Sequence, residues 1–339
     1  MSPPSATAGL PLRARAPAKI NLGLFIGPHG ASGRHELVSV MQSISLADQL
    51  TLEPGPHGSG EDAVICPGVP GDAGENLAAR ALRGFRALTG WDGPPLRLTV
   101  DKRIPVAAGL GGGSADAAAT LRLLAEVAGL EAHTPALLDL AARLGSDVPA
   151  QVRPGCWLVS GAGERLEPLP APRPPFGVLV VAVPAALSTA TVYGEADRLR
   201  PPRSAAELEG LHQRLAEASA TGAGLPPAEL LGNDLEGAAR SLCPAIDGAL
   251  GEVRRTGADT ALVSGSGPTV LGLFGGEDGA RRAELAAAEL ARERVKDGQE
   301  SAPMPPLAAV PVDDSFGRPV AERLPALRDV TIARARHDP

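Results

Sequence analysis

The chain has 339 residues, 44% of them hydrophobic and only 2% aromatic, with a net charge of −7. This length and apolar content support two folded domains, whose cores must be built mainly from Ala, Leu and Val. The acidic balance argues against a nucleic-acid partner, because polyanions are bound through an excess of Lys and Arg.

Three cysteines, Cys66, Cys156 and Cys243, lie far apart and lack metal-ligand spacing, so we interpret them as reduced thiols of a cytoplasmic protein.

Residues 1–11 are rich in Ser, Pro and Ala, and we predict that they form a disordered tail. The N-terminus has no apolar segment, and no run of eighteen apolar residues follows, so neither a signal peptide nor a membrane partner is expected.

Strand and helix signals alternate through the first half of the chain. Strands are predicted at Arg13–Ile26, Glu36–Leu46, Gln49–Glu53 and Leu96–Val106, and a helix at Asn76–Thr89. A glycine run follows the last of these strands, and helical spacing then begins at Ser114 and stops at Gly129. Thr134 and Pro135 open another helix that ends at Gly145, directly before Ser146-Asp147-Val148-Pro149.

The proline run 170–175 is the best boundary by composition, dividing the chain into domains at 12–170 and 176–339. Beyond it we predict strands at Val178–Val183, Ala261–Val263, Thr269–Phe274 and Val330–Arg334, and helices at Ala205–Ser219, Pro227–Ser241, Ala245–Arg255 and a charged segment to about residue 295. A polar linker is expected at about 296–319. A second glycine-rich turn, Ser264–Pro268, separates two of the strands.

The glycine run Gly109–Gly113 ends in Ser114 between a strand and a helix N-terminus. Such a loop lets backbone N–H groups converge on phosphate, although a flexible turn is the plainer alternative. A P-loop is excluded because no Lys follows the last glycine. A dinucleotide-binding oxidoreductase is excluded because Ser114 stands where that fingerprint needs Gly or Ala.

Two charged residues outside this loop are candidates for chemistry. Lys19 lies in an apolar strand, where it needs either a partner or a solvent-facing position, and Asn21 shares its face. Asp147, beside Ser and Pro, would by itself most often cap a turn.

The segment Pro105–Ser114 resembles the ATP loop of the GHMP kinase superfamily, and its doubled glycines look most like the diphosphocytidyl-methylerythritol kinase branch. Ala16–Leu22, Gly145–Pro149 and Leu262–Thr269 are similar to further motifs of that branch. These four motifs occur in the expected order over about residues 16–275.

This resemblance implies an α+β fold, with a ribosomal-protein-S5-like N-terminal domain and an α/β-plait C-terminal domain around a cleft. It implies an ATP- and Mg²⁺-dependent kinase of isoprenoid biosynthesis, with Asp147 orienting or deprotonating the acceptor hydroxyl and Lys19 neutralising charge. The ATP-binding residues would be Pro105, Val106, Ala107, Ala108, Gly109, Leu110, Gly111, Gly112, Gly113 and Ser114, with Asn76, Lys102 and Asp116 near the base; Ser114 is also the candidate Mg²⁺ ligand.

On the acceptor side, the resemblance implies roles for Asn21, His35, Thr189, Tyr193, Gly265, Ser266 and Gly267. The chain departs from the branch at Gly33-Arg34-His35, where an aromatic that stacks on cytosine is replaced by Arg34, whose guanidinium plane could also stack. A kinase for another small alcohol or sugar is therefore an alternative, and a nucleotide-binding regulator without catalysis a weaker one. We expect a monomer or homodimer that binds a small-molecule substrate.

Overall fold

The computed structural model describes residues 10–30, 33–55, 60–69, 73–296 and 304–321. The strands are β1 (Leu12–His29), β2 (His35–Pro54), β3 (Ala63–Ile65), β4 (Leu96–Asp101), β5 (Cys156–Ser160), β6 (Arg165–Leu169), β7 (Gly177–Val181), β8 (Gly232–Asn233), β9 (Thr260–Val263), β10 (Val270–Phe274) and β11 (Leu307–Ala309). The helices are α1 (Leu77–Thr89), α2 (Gly112–Ala128), α3 (Pro135–Leu144), α4 (Val148–Val152), α5 (Thr189–Leu199), α6 (Ala205–Ser219), α7 (Glu236–Leu242), α8 (Ala245–Arg255) and α9 (Gly279–Lys296).

A seven-stranded sheet is built around the long antiparallel pair of β1 and β2. Its order is β3-β4-β2-β1-β8, and β5 pairs with β2 and carries β6 on its other edge. Helix α2 packs on β1 and β2, and α1 packs on α2. The second sheet, in the order β11-β7-β10-β9, is antiparallel and packs against α8 and α9.

A register shift between Asn21 and Gly23 divides β1 into two parts, and the alternation of inward and outward side chains is reversed from one part to the other. Before it, Ile20 and Leu22 point into the core of the first sheet, so Lys19 and Asn21 face the other side. After it, Leu24 and Ile26 pack into the core of the second sheet. A bulge exchanges the faces of a strand in this way, and here it lets one strand join both cores.

Several predicted boundaries differ from the structure. Residues 36–53 form part of one strand, β2, because Ala47 and Asp48 continue its pairing with β1. The strand predicted to reach Val106 ends at Asp101, and the helix predicted from Ser114 begins at Gly112. Helix α5 and strands β5 and β6 have no counterpart among the predicted elements.

The helix predicted at Pro227–Ser241 is wrong. A 3-10 turn (Ala228–Leu230), strand β8 and helix α7 occupy this segment. Gly232 and Asn233 pair in parallel with Gly23 and Leu24 of β1, so contacts with a distant strand outweigh the local helical spacing.

Within the expected linker at 296–319, strand β11 completes the second sheet. Directly after the expected linker, Val320 exchanges two backbone hydrogen bonds with Arg13, at 2.9 and 2.8 Å. Residues 304–319 are therefore part of the fold rather than a linker. The predicted strand at Val330–Arg334 and residues 1–9 of the tail lie outside the described residues. In the ranges that the structure describes, no helix has the length and apolarity to cross a membrane.

Candidate active site

Lys19 and Asn21 project from β1 into a cleft between the two sheets. The Lys19 ammonium, in a residue only 7% exposed, donates to Asn21 Oδ1 at 2.9 Å, and Asn21 Nδ2 donates to Ser39 Oγ of β2 at 2.7 Å. The Lys19 backbone N–H donates to the carbonyl of Leu110 at 3.0 Å. This part of β1 is therefore fixed both to β2 and to the glycine run that follows β4.

Asp147 approaches Lys19 from the helical side of the cleft. Gly145 ends α3 by donating its N–H to the Ala141 carbonyl, and Asp147 follows at the start of α4. Its carboxylate makes no capping hydrogen bond, so the capping interpretation does not hold. Asp147 Oδ2 instead lies 3.4 Å from Lys19 Nζ, and the Asp147 side chain keeps 31% of its surface exposed to the cleft.

The first glycine loop, residues 105–114, leads into α2. Gly109 and Gly111 have φ values of 74° and 69°, which only glycine adopts without strain. A Cβ on Gly109 would lie 2.2 Å from the carbonyl oxygen of Ser264, and one on Gly111 would lie 2.8 Å from Lys19 Cγ. The first turn of α2 carries no acidic residue, so its N–H groups and positive dipole end face the cleft unopposed.

The second glycine loop, residues 264–269, is a tight turn between β9 and β10 that also contacts the first. Ser264 Oγ donates to the Gly109 carbonyl at 3.2 Å, and a Cβ on Gly265 would lie 3.5 Å from Lys19 Nζ. Asn233 of β8 supports the turn by donating from Nδ2 to the carbonyls of Val263 and Gly265, at 2.8 and 2.7 Å. Asn233 was not among the residues predicted from the sequence, because its role depends on the pairing of β8 with β1.

A buried charge cluster closes one end of the cleft. Lys102 contacts the carboxylates of both Asp48 and Asp116, the latter at 2.7 Å. Asp48 is fully buried and also accepts from the backbone N–H of Ile104 at 2.8 Å. Burial lowers the pKa of Lys102, but Asp116 and Asp48 outweigh this effect and the net shift is upward. Burial raises the pKa of Asp116 to about 8, against the opposing influence of Lys102.

Asn76 and Asp116 present polar groups beside this cluster. Asn76 caps α1 by accepting from the Ala78 N–H at 2.8 Å, and it lines the cleft with Lys102 and Asp116. Asp116 Oδ1 is buried and accepts no hydrogen bond from the described residues. The polar groups that line this end of the cleft are therefore those of Asn76, Lys102 and Asp116. Asp48 was not singled out from the sequence, because its burial follows from the pairing of β2 with β1 and β4.

The opposite end of the cleft is formed by α5 and the residues before it. Tyr193 lines this end with Leu187 and Thr189, and the Thr189 hydroxyl lies 3.1 Å from Ser266 Oγ. Burial raises the pKa of Tyr193 to about 12, and the charge of Asp147 adds to the shift, so the ring stays neutral. Its lack of charge and its partly buried face suit it to stacking.

The cleft has a volume of about 480 Å³, within the range of small-molecule sites. It brings together every candidate catalytic, ATP-binding and acceptor-side residue from the sequence except His35 and Gly267, and Arg34 does not line it either. Gly267 faces the second core, since a Cβ there would lie 3.0 Å from Val263 Cγ1. His35 lies behind Tyr193, with their ring centroids 5.6 Å apart. Its two ring nitrogens contact the Gly27 carbonyl at 2.9 Å and the Asp197 carboxylate at 3.0 Å.

Comparisons with known proteins agree with this architecture. The profile of the GHMP kinases N-terminal domain matches residues 76–155, and that of the C-terminal domain matches residues 206–297. A crystal structure of homoserine kinase from Cytophaga hutchinsonii aligns with a TM-score of 0.62 over 91% of this chain and 96% of its own, at 17% identity, which shows the shared fold alone. The chain belongs to the GHMP kinases, and the expected α+β fold of that class is confirmed.

Relatives of higher sequence identity identify the family within this class. A 4-diphosphocytidyl-2-C-methyl-D-erythritol kinase of Rhodococcus jostii is 41% identical over 85% of this chain and 93% of its own length. A kinase of the same name from Saccharopolyspora erythraea is 39% identical over 93% of this chain and 99% of its own. A crystal structure of 4-(cytidine 5'-diphospho)-2C-methyl-D-erythritol kinase aligns with a TM-score of 0.64 at 34% identity, covering 88% of this chain and 98% of its own. Within the GHMP kinases, the chain belongs to the family of 4-diphosphocytidyl-2-C-methyl-D-erythritol kinases.

Proposed function

We propose that this chain transfers the γ-phosphoryl group of ATP to the 2-hydroxyl of 4-diphosphocytidyl-2-C-methyl-D-erythritol, a step of the non-mevalonate isoprenoid pathway. The observation that carries the proposal is the position of the Lys19–Asp147 pair, whose charged atoms are 3.4 Å apart between two glycine loops in one cleft. Family membership supplies the substrate.

The residues at the closed end of the cleft fit a nucleotide. Gly111, Gly112 and Gly113 line the cleft and carry no side chains of their own, so phosphate oxygens can approach the N-terminal N–H groups of α2. Asn76 and Asp116 line the space proposed for the base and give it a polar wall. The Ser114 hydroxyl stands at the start of α2, close to Gly145, and is the candidate ligand for Mg²⁺. When bound, ATP supplies the phosphoryl group and Mg²⁺ neutralises its phosphate oxygens.

Catalysis in this site rests on positioning and charge. Asp147 accepts the proton of the acceptor hydroxyl, for which its partly exposed carboxylate is suited. Lys19 places a positive charge between Asp147 and the first glycine loop, where negative charge accumulates during transfer. Asn21 and Ser39 fix the direction of the Lys19 ammonium through two consecutive hydrogen bonds. A regulator without catalysis would have no need for this arrangement.

The open end of the cleft is assigned to the cytidine. Tyr193 provides the stacking face, and Thr189, Gly265 and Ser266 lie between it and Lys19. For His35 to bind the base, its Nε2 must leave the Asp197 carboxylate and form a hydrogen bond with the substrate instead. Arg34 is exposed at the end of the β1–β2 hairpin, where its guanidinium plane can supplement Tyr193.

A coupled assay of ADP release against a panel of acceptors tests the proposal, with Asp147→Asn protein as the control for contaminating kinases. We expect turnover with the diphosphocytidyl substrate and little with homoserine, mevalonate or galactose. Turnover restricted to an acceptor without a base would contradict the substrate and retain the kinase class. No ADP release with any acceptor would contradict the proposed catalysis. A cytoplasmic location and a monomeric or homodimeric state remain predictions.

A further inference from the structure

Two histidines face each other where the β1–β2 hairpin closes. His29 at the end of β1 pairs in register with His35 at the start of β2, and their ring centroids are 3.8 Å apart. Asp197 of α5 approaches the same point from the second half of the chain. One ligand atom of each residue lies within 4.8 Å of those of the other two.

The hydrogen bonds of His35 define the state of its ring. Nδ1 lies 2.9 Å from the carbonyl oxygen of Gly27, which can only accept, so Nδ1 carries a hydrogen and donates it. In the neutral ring the lone pair is then on Nε2. A histidine that ligates a metal is commonly oriented through its other nitrogen by such a bond to a backbone carbonyl.

Nε2 of His35 faces a second acceptor, the Asp197 carboxylate, with its two oxygens at 3.0 and 3.2 Å. Two acceptors at this distance need a cation between them, either a proton or a metal ion. A proton would bridge only His35 Nε2 and the Asp197 carboxylate, whereas a metal ion can bind further ligands. The ring of His29, which is tilted by 41° against that of His35 and exposed to solvent, adds a third potential ligand to the cluster.

We propose that His29, His35 and Asp197 form a binding site for a divalent transition-metal ion, with Zn²⁺ as the best match. Two imidazole nitrogens and one carboxylate oxygen are ligands that Zn²⁺ accepts, whereas Mg²⁺ prefers oxygen alone. At usual Zn–N and Zn–O lengths, tetrahedral geometry places N and O about 3.3 Å apart, close to the separation of His35 and Asp197. Exposure of His29 and Asp197 leaves the fourth position to water.

Zn²⁺ at this site has a consequence for the acceptor, which rests on the proposed function. An ion on Nε2 prevents His35 from turning to the base and holds it against Tyr193 at the open end of the cleft. Zn²⁺ should therefore raise the KM for the cytidine substrate without changing that for ATP.

Isothermal titration of the metal-free full chain with ZnCl₂ tests the site directly, and absorption spectra with Co²⁺ report the ligand geometry. His29→Ala and Asp197→Asn should each weaken Zn²⁺ binding by about tenfold or more, since each removes one of three ligands. Both residues are exposed, so the variants are expected to fold, which circular dichroism verifies. The matched control is His133→Ala, because His133 is an exposed histidine beside a carboxylate, 3.7 Å from Glu131.

Binding of Zn²⁺ by the wild type and the His133→Ala protein, with weakened binding in the two site variants, supports the proposal. Absence of Zn²⁺ binding, or equal binding by all four proteins, overturns it. The kinetic arm is separate: an increase of KM with Zn²⁺ in the wild type that is lost in His29→Ala supports the link to the acceptor. Failure of the proposed kinase activity would leave the calorimetric result unaffected.

Discussion

The Lys19 ammonium lies 3.4 Å from the Asp147 carboxylate, although the two residues reach this point from opposite walls of the cleft. Lys19 is carried by β1, beside a bulge that turns the strand, and Asp147 follows a glycine that ends α3. This contact links the sheet of the first domain to its helical layer. It lies where the acceptor hydroxyl and the phosphoryl group would have to come together.

Asp147→Asn should lower kcat by about 10²- to 10⁴-fold, because the amide keeps the size of the side chain but cannot accept the proton. The affinity for ATP should be nearly unchanged, since the glycine cradle stays intact. Steady-state kinetics and nucleotide titration measure the two effects. Asp139→Asn, a change on the exposed side of α3, is the control. A kcat close to that of the wild type would remove Asp147 from the mechanism.

The contact between the two glycine loops can be tested with a pair of alanine substitutions. Gly109 and Gly257 have nearly equal φ values, 74° and 76°, so both changes introduce a similar backbone strain of about 1 kcal/mol. Only Gly109→Ala also drives a Cβ to 2.2 Å from the Ser264 carbonyl, whereas nothing lies within 4 Å of a Cβ at Gly257.

Gly109→Ala should therefore separate the loops and weaken ATP binding, while Gly257→Ala should cost stability alone. Urea unfolding and nucleotide titration of both proteins separate the two effects. Equal ATP affinity in the two variants would mean that the first glycine loop is only a turn.

Tyr193→Ala should raise the KM for the cytidine substrate by about tenfold or more, because a stacked ring contributes about 1–3 kcal/mol per base. Tyr193→Phe keeps the ring and should stay near the wild-type value. ATP binding should be constant in both. Equal KM values for the alanine and wild-type proteins would exclude Tyr193 from cytidine recognition.

Acid stability should depend on Asp234, which joins β1 to the segment before α6. Its carboxylate accepts from the Ile26 N–H at 3.0 Å and from Arg203 at 2.7 Å. Burial raises the pKa of Asp234, but the hydrogen bonds from Arg203, Ile26 and Arg200 outweigh this effect and lower it overall. A folded-state pKa below that of the unfolded chain stabilises the protein above about pH 4, and the contribution is lost as the pH falls further.

Asp234→Asn should therefore lower the free energy of unfolding near neutral pH, with a smaller loss below about pH 4. Urea unfolding of both proteins across this range measures the difference. A difference that stays constant with pH would show that the ionised carboxylate is not the stabilising group.

Local features of the sequence located the first glycine loop and the helix that ends before Asp147. The glycines of the first loop, the Thr134 cap with Pro135, and the Gly145 stop each act within a few residues, so spacing alone predicts a helix N-terminus open to phosphate and the end of α3 just before Asp147. By spacing alone Asp147 itself would cap a turn. Lys19 was recognisable because a lysine in an apolar strand needs a partner. The family resemblance added the roles of these residues.

Only the tertiary structure decided which distant residues support them. Asp48 joins Lys102 and Asp116 through strand pairing, and Asn233 holds the second glycine loop from a segment whose spacing predicted a helix. His35 lies outside the cleft and meets His29 and Asp197 instead. These contacts join residues that are far apart in the chain. They form only where strand pairing and the bulge in β1 bring the side chains together, and their strength depends on burial. Hydrophobic periodicity shows which face of a single helix or strand is buried, whereas such contacts depend on where the other elements pack.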